Sequence, residues 1–257
     1  MRSALRALRR VVSHLANTID PEYGRVPGIH ENRELYHPIY PIASYAPWNQ
    51  DQDFLKTFLA IKPNTLVDIY RCWELWDLIG QSSKLNGSFI EIGVWRGGTA
   101  ALMAQRARLC GITDPFYLCD TFRGVVKTSE HDTLYKGGEH ADTSRKQVED
   151  LFATLGLHPP RIVEGIFPDE SSSQVDSTTF RFCHIDVDAY QSAKDIVLWI
   201  WPRMVSGGII VYDDYGFLGC EGIARFVNEQ IPESDRLVFR NLNGHAIVVK
   251  VPHGTVA

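Results

Sequence analysis

The sequence predicts an α/β fold: a doubly wound, mostly parallel sheet that ends in an antiparallel hairpin, with an N-terminal helical and irregular extension. Three observations predict it. From Ser88 onward, short apolar strands alternate with amphipathic helices, the pattern of strand–helix–strand units. The last two strands, 236–241 and 245–251, have no helix between them and meet at Asn243-Gly244, a strong short-range hairpin signal. A chain of 257 residues, 44% of them hydrophobic, is long enough for one such domain with a sizeable core.

Taken in order, the first nineteen residues carry Arg2, Arg6, Arg9 and Arg10 with no acid before Asp20. They read as a short amphipathic helix packed on the body or on a second subunit, since neither a long apolar region nor a cleavage site follows. Residues 20–50, with Pro21, Pro27, Pro38, Pro41 and Pro47, read as an irregular arm. Together, residues 1–61 form an extension for substrate and oligomer contacts, and 62–257 form the main domain. That domain opens with a helix over about 62–80, where Leu66, Ile69, Tyr70, Trp73, Trp76 and Ile79 make one apolar stripe. Strands then fall at 88–94, 115–120, 161–164, 180–187 and 207–213, and helices at 98–110, 143–156, 190–204 and 219–230.

Composition narrows the function. A net charge of −5 and a pI near 6.0 give no reason to expect a nucleic-acid partner. No apolar run approaches the roughly 20 residues that span a bilayer, so no membrane partner is expected. Cys72, Cys110, Cys119, Cys183 and Cys220 are odd in number, and none sits at C-x-x-C spacing. That excludes a disulfide framework and a zinc ribbon, and suits a reducing cytoplasm.

Ligands of open α/β sheets bind beyond the carboxyl ends of the strands. The first strand ends in Glu91-Ile92-Gly93-Val94-Trp95-Arg96-Gly97-Gly98-Thr99, an E-x-G-x-x-x-G-G turn rather than the G-x-G-x-x-G of dinucleotide binders. Gly93, Gly97 and Gly98 let the backbone approach a ligand, and Thr99 lies in the first turn of the next helix, where free N–H groups cluster. Asp120 closes the second strand, followed by Phe122, where an acid can accept from both hydroxyls of a ribose. Gly165 and Phe167 follow the third strand and suit one face of an adenine ring.

Two acidic clusters are more specific. Asp186-Val187-Asp188 ends one strand and Asp213-Asp214 ends the next. Carboxylates this close resist ionisation unless a cation compensates them, and hard oxygen donors select magnesium or manganese. The alternatives are helix capping by Asp188 and solvated acids at 213 and 214. Because neighbouring strand residues point to opposite faces, Asp213 and Asp214 converge only where the strand is already curling. His140, in the glycine-bearing loop Lys136–Asp142, is a second candidate base on a segment able to close as a lid. Tyr45, Trp48 and Tyr215 are candidates for stacking on a ring.

The segments 89–98, 185–190 and 207–215 resemble the macrocin O-methyltransferase family, over about residues 62–230. The resemblance implies a class I methyltransferase (Rossmann-like) fold, S-adenosylmethionine as methyl donor, and transfer to a sugar hydroxyl in natural-product or saccharide biosynthesis. It places cofactor contacts on Glu91, Gly93 and Asp120. It places a divalent metal, Mg2+ or Mn2+, on Asp186, Asp213 and Asp214, with Asp186 also the catalytic base. It further implies a small, hydroxylated, sugar-containing acceptor and a homo-oligomer. Catechol-type enzymes carry a lysine where this chain has Ala189, so lysine-assisted deprotonation is not expected there. The arm and the loop 121–143 depart from better-known members, which leaves the acceptor unspecified. Competing readings are a metal-dependent glycosyltransferase using the D-x-D at 186–188, a methyltransferase-like binding protein without chemistry, and a nicotinamide dehydrogenase.

Overall fold

A computed structural model describes residues 45–158 and 160–252. The Arg-rich start and residues 20–44 of the arm lie outside the described residues. The first α-helix among the described residues is α1 (Gln52–Ile61), in a stretch that sequence composition assigned to the extension. Asp51 starts it by accepting from the Phe54 N–H at 2.8 Å, and Phe54 and Ile61 join the core. Helix α2 (Ile69–Ser82) begins later than the stripe predicts. Lys62-Pro63-Asn64 forms a separate 3-10 turn, and the helix starts at Asp68, whose Oδ1 accepts from Tyr70 and Arg71 N–H groups at 2.8 and 3.0 Å. Leu66 therefore precedes the helix and is exposed.

The strand–helix series follows: β1 (Ser88–Ile92), α3 (Gly98–Leu109), β2 (Phe116–Asp120), α4 (Arg145–Thr154), β3 (Arg161–Glu164), β4 (Phe180–Ile185), α5 (Tyr190–Ile200), β5 (Met204–Tyr212), α6 (Glu221–Glu229), β6 (Arg236–Arg240) and β7 (Ala246–Lys250). One seven-stranded sheet results, in the order β3-β2-β1-β4-β5-β7-β6. All neighbours up to β5 run parallel, and β7 is antiparallel to both β5 and β6. In the hairpin turn only Gly244 takes a left-handed φ, +98°, and the Asn241 N–H donates to His245 O at 2.9 Å. Asn243 keeps its side chain for other work.

The period-two alternation of strand side chains supplies two cores. Phe89, Leu118, Phe182 and Val211 face α1, α2, α3 and α4, whereas Ile90, Cys119, Ile185 and Tyr212 face α5 and α6. Strand order reverses between β1 and β4. The chain leaves β1 toward β2 and returns to β4 on the other side, which opens a crevice beyond their carboxyl ends.

Candidate active site

The crevice is built where two loops cross. Gly93 has φ +84°, and a Cβ there would lie 1.7 Å from the Asp186 carbonyl oxygen, so only glycine fits. The ladder continues across this level: Asp186 N–H donates to Ile92 O at 2.9 Å and Asp213 N–H to Ile185 O at 3.0 Å. The turn after β1 thus sits directly beside the acidic ends of β4 and β5. Asp120 locks the turn, its Oδ2 accepting from the Val94 and Trp95 N–H groups at 2.6 and 2.9 Å and its Oδ1 from Phe122 N–H at 2.6 Å.

One cavity collects most of the predicted residues. Gly93, Thr99, Asp120, Gly165, Phe167, His140, Asp186, Asp213 and Asp214 all line it. Glu91, Gly97, Gly98 and Phe122, read from sequence as cofactor contacts, stand off its wall. Glu91 is wholly buried beneath it, taking the Thr99 hydroxyl at 2.7 Å and His184 Nδ1 at 2.8 Å on Oε1. Gly98 serves close packing, since a Cβ there would meet Asn64 O at 2.5 Å. Gly97 caps α3, and Phe122 packs against the core on the α1–α4 side. His140 is exposed at the rim, its ring beside those of Trp95 and Tyr135.

The loop that carries His140 is docked. Asp132 accepts from the Tyr190 N–H at 2.9 Å, Thr133 from this loop donates to Glu221 at 2.5 Å, and Trp95 Nε1 donates to Asp142 at 2.8 Å. Asp132, not Asp188, therefore satisfies the start of α5. Asp188 instead has a left-handed φ of +59°, and its Oδ1 accepts from Cys220 Sγ at 3.8 Å beside Asp214. Ala189 is fully buried, and Trp48 packs in the core with Tyr70 and Phe54. The Tyr215 hydroxyl donates to Asn228 at 3.2 Å.

The acid cluster divides into a compensated member and uncompensated ones. Ligating oxygens of Asp186, Asp213 and Asp214 lie within 4.8 Å of one another. Burial alone would raise Asp213, but Arg71, His184 and His245 hold it far below the usual carboxylate range. Its Oδ2 pairs with Arg71 Nη1, and its Oδ1 faces His245 Nε2 at 3.0 Å and His184 Nε2 at 3.5 Å. Burial, then Asp213 and Asp214, pushes Asp186 well up, and burial with Asp188 and Asp213 does the same to Asp214. Asp188 rises to about 6, again chiefly by burial. Asp186 and Asp214 offer oxygens within 4.8 Å of each other, and Asp214 Oδ2 is a buried atom with no hydrogen-bond partner among the described residues. Two carboxylates in contact need a proton or a cation between them. The donor set, all hard oxygen and short of positive charge, fits a divalent ion.

Sequence reasoning passed over the support of Asp213. Glu91, His184, Asp213 and His245 form a row on one face of the sheet, at the ends of β1, β4 and β5 and the start of β7. Burial alone would lower His184, but Asp213 and Glu91 raise it to about 9. Burial pushes Glu91 up despite its bonds to His184 and Thr99, and its Oε2 has no hydrogen-bond partner among the described residues. Above the row, Arg71 and Glu74 lie one turn apart on α2, and Glu74 accepts from His245 Nδ1 at 2.6 Å and from Asn243 at 3.0 Å. The signal was present: these residues share the parity of Phe89, Phe182 and Val211, polar groups in otherwise apolar strands.

This topology, with its crevice and acid cluster, is that of a class I methyltransferase. The O-methyltransferase NovP superposes with a TM-score of 0.64 at 22% identity, over 74% of this chain and 83% of its own. The family model described as macrocin-O-methyltransferase (TylF) matches residues 66–234, and the chain belongs to that family. It is 28% identical over 170 residues to the demethyldecarbamoylnovobiocin O-methyltransferase of Streptomyces niveus, covering 62% of each chain. It is 29% identical over 144 residues to the 8-demethyl-8-(2,3-dimethoxy-alpha-L-rhamnosyl)-tetracenomycin-C 4'-O-methyltransferase of Streptomyces olivaceus, covering 52% of this chain and 55% of that one. The chain thus matches less than two thirds of the length of these relatives. Family membership sets aside the glycosyltransferase reading of Asp186-Val187-Asp188. No helix among the described residues is long and apolar enough to cross a membrane.

Proposed function

We propose that this protein transfers the methyl group of S-adenosylmethionine to a hydroxyl of a small sugar-containing natural product, with magnesium or manganese at Asp186, Asp213 and Asp214. One observation carries the reading: three carboxylates within 4.8 Å, two of them without a cationic partner among the described residues, line the same cavity as the Gly93 turn and Asp120. The names of relatives, one of which acts on a rhamnosyl group, support the acceptor class. The cofactor brings an electrophilic methyl, and a bound divalent ion lowers the pKa of a hydroxyl it holds.

The chain's own residues do the rest. Asp120 presets the turn at 94–95 before a ligand arrives, so little ordering is left for the bound state. Phe167 and Trp95 give the cavity apolar walls that keep water from a methyl donor. Asp186, which lines the cavity beside Asp213 and Asp214, takes the hydroxyl proton. Fixed placement of the two reactants supplies much of the rate. The basic N-terminal segment and the arm are assigned to acceptor and subunit contacts in a homo-oligomer.

The test is calorimetric binding of S-adenosylhomocysteine with and without magnesium, followed by labelled methyl transfer to a panel of deoxysugar glycosides. Wild type binds the product analogue and methylates at least one glycoside only when a divalent ion is present. Asp186→Asn keeps analogue binding and loses turnover. An absence of binding under every metal condition sinks the proposal.

A further inference from the structure

Asp213 is held in a way that neither of its acidic neighbours is. A carboxylate offers about four lone-pair sites. On Asp213 these face Arg71 Nη1 at Oδ2, and His245 Nε2 at 3.0 Å with His184 Nε2 at 3.5 Å at Oδ1. His184 Nε2 makes no hydrogen bond there, so two bonded nitrogens, from Arg71 and His245, fix the aim of the carboxylate. Each histidine is in turn fixed on its other ring nitrogen, His184 by Glu91 at 2.8 Å and His245 by Glu74 at 2.6 Å. A histidine oriented by a carboxylate on one nitrogen and acting through the other is the arrangement that shapes metal sites from their second layer. Here the histidine acts on a ligand instead of on the ion. His245 is wholly buried at the turn of the β6–β7 hairpin, and its Nε2 faces Asp213.

We propose that His245, oriented by Glu74, is a positioning residue that fixes the Asp213 carboxylate for a divalent cation shared with Asp186 and Asp214. Asp213 would be the rigid ligand of the set, and Asp186 and Asp214, which make no ion pair among the described residues, would adjust around the ion. The inference rests on the metal reading above, and the experiment separates the two.

Mn2+ is titrated into the full chain and the free ion is read by electron paramagnetic resonance, for wild type, His245→Phe and His245→Gln. S-adenosylhomocysteine binding without metal reports that each variant is folded. The phenylalanine keeps the packing and removes the donor; the glutamine restores an N–H at the reach of Nε2. His245→Phe is expected to bind Mn2+ about 10–100-fold more weakly, and His245→Gln to recover most of that loss. A purely structural role would not give that rescue. If wild type binds no Mn2+, the metal reading fails and takes this inference with it. If wild type binds and His245→Phe binds equally well, the metal reading stands and the inference is overturned; a glutamine variant as weak as the phenylalanine one overturns it too. Should His245→Phe not fold, Glu74→Gln replaces it, with weaker Mn2+ binding expected and an unchanged affinity overturning the inference.

Discussion

Replacing Arg71 with methionine removes the buried cation that pairs with Asp213. The residue is 9% exposed; its Nη1 meets Asp213 Oδ2, its Nε donates to Asp68 at 2.9 Å, and its guanidinium lies 4.7 Å from the Phe217 ring centroid. Asp213 is 2% exposed, so water cannot replace the lost partner. Removing one side of a buried pair costs about 3–5 kcal/mol. The Asp68 bond, at a half-exposed carboxylate, adds about 0–1 kcal/mol. Methionine refills much of the volume, so a cavity term stays small. At about 2–4 °C per kcal/mol for a domain of this size, the melting temperature falls by roughly 6–24 °C. Chelator-treated protein is unfolded by heat and by urea, and the same change is made in an Asp213→Asn background. There the buried charge is gone, and Arg71→Met should cost at least about 2 kcal/mol less. Equal costs in both backgrounds, or a fall of less than about 2 °C, would refute the pairing as the source of stability.

Two further outcomes follow from the site. Gly93→Ala puts a Cβ 1.7 Å from the Asp186 carbonyl oxygen at a φ of +84°, a backbone clash added to a left-handed cost of about 1–2 kcal/mol. The variant should lose S-adenosylhomocysteine binding by calorimetry and unfold at markedly lower urea; wild-type behaviour would mean the two loops do not cross there. The second concerns pH without metal. His184 is raised from 6.5 to about 9 in the folded chain, so its contribution is complete below pH 6.5 and fades as pH rises through 9. The amount is about 3 kcal/mol, and thermal melts from pH 6.5 to 9.5 should show the decline, reduced in His184→Asn; identical profiles for the two proteins count against the ion pairing.

Periodicity and turn chemistry made the fold legible. Apolar runs at 88–94 and 180–187 and the Asn-Gly at 243–244 place strands and hairpin because burial and turn geometry are local demands. Where the reading of α2 slipped, a local rule was overlooked: Pro63 and the cap at Asp68 delay the helix that the apolar stripe alone begins too early. In the candidate site the carboxylates were legible because acids gathered at adjacent strand tips repel one another and call for a compensating cation. The second layer was not. Glu91 looked like a ligand contact because it precedes the glycine turn, but strand parity turns it onto the α3 side of the sheet, where Thr99 and His184 take it. Asp120 looked like a ribose acceptor; its nearest donors are the backbone N–H groups of its own neighbourhood, a contact that no spacing rule announces.

The support of Asp213 also bears on how far a family match specifies a site. The matched segment, 66–234, contains the three aspartates together with Arg71 and Glu74, but β7 and His245 lie beyond it. Half of what aims Asp213 therefore enters from a hairpin that contributes nothing to the cavity wall. The hairpin's edge strand β6 leaves Leu237 and Phe239 exposed, so burying its own side chains explains little of its place in the fold. Its tip, by contrast, spends Asn241, Asn243 and His245 on the single carboxylate of Glu74. Three donors on one half-buried acid tie the hairpin to α2 directly above Asp213. A change in either element would reach the acid cluster through that carboxylate, without any residue of the cavity being altered.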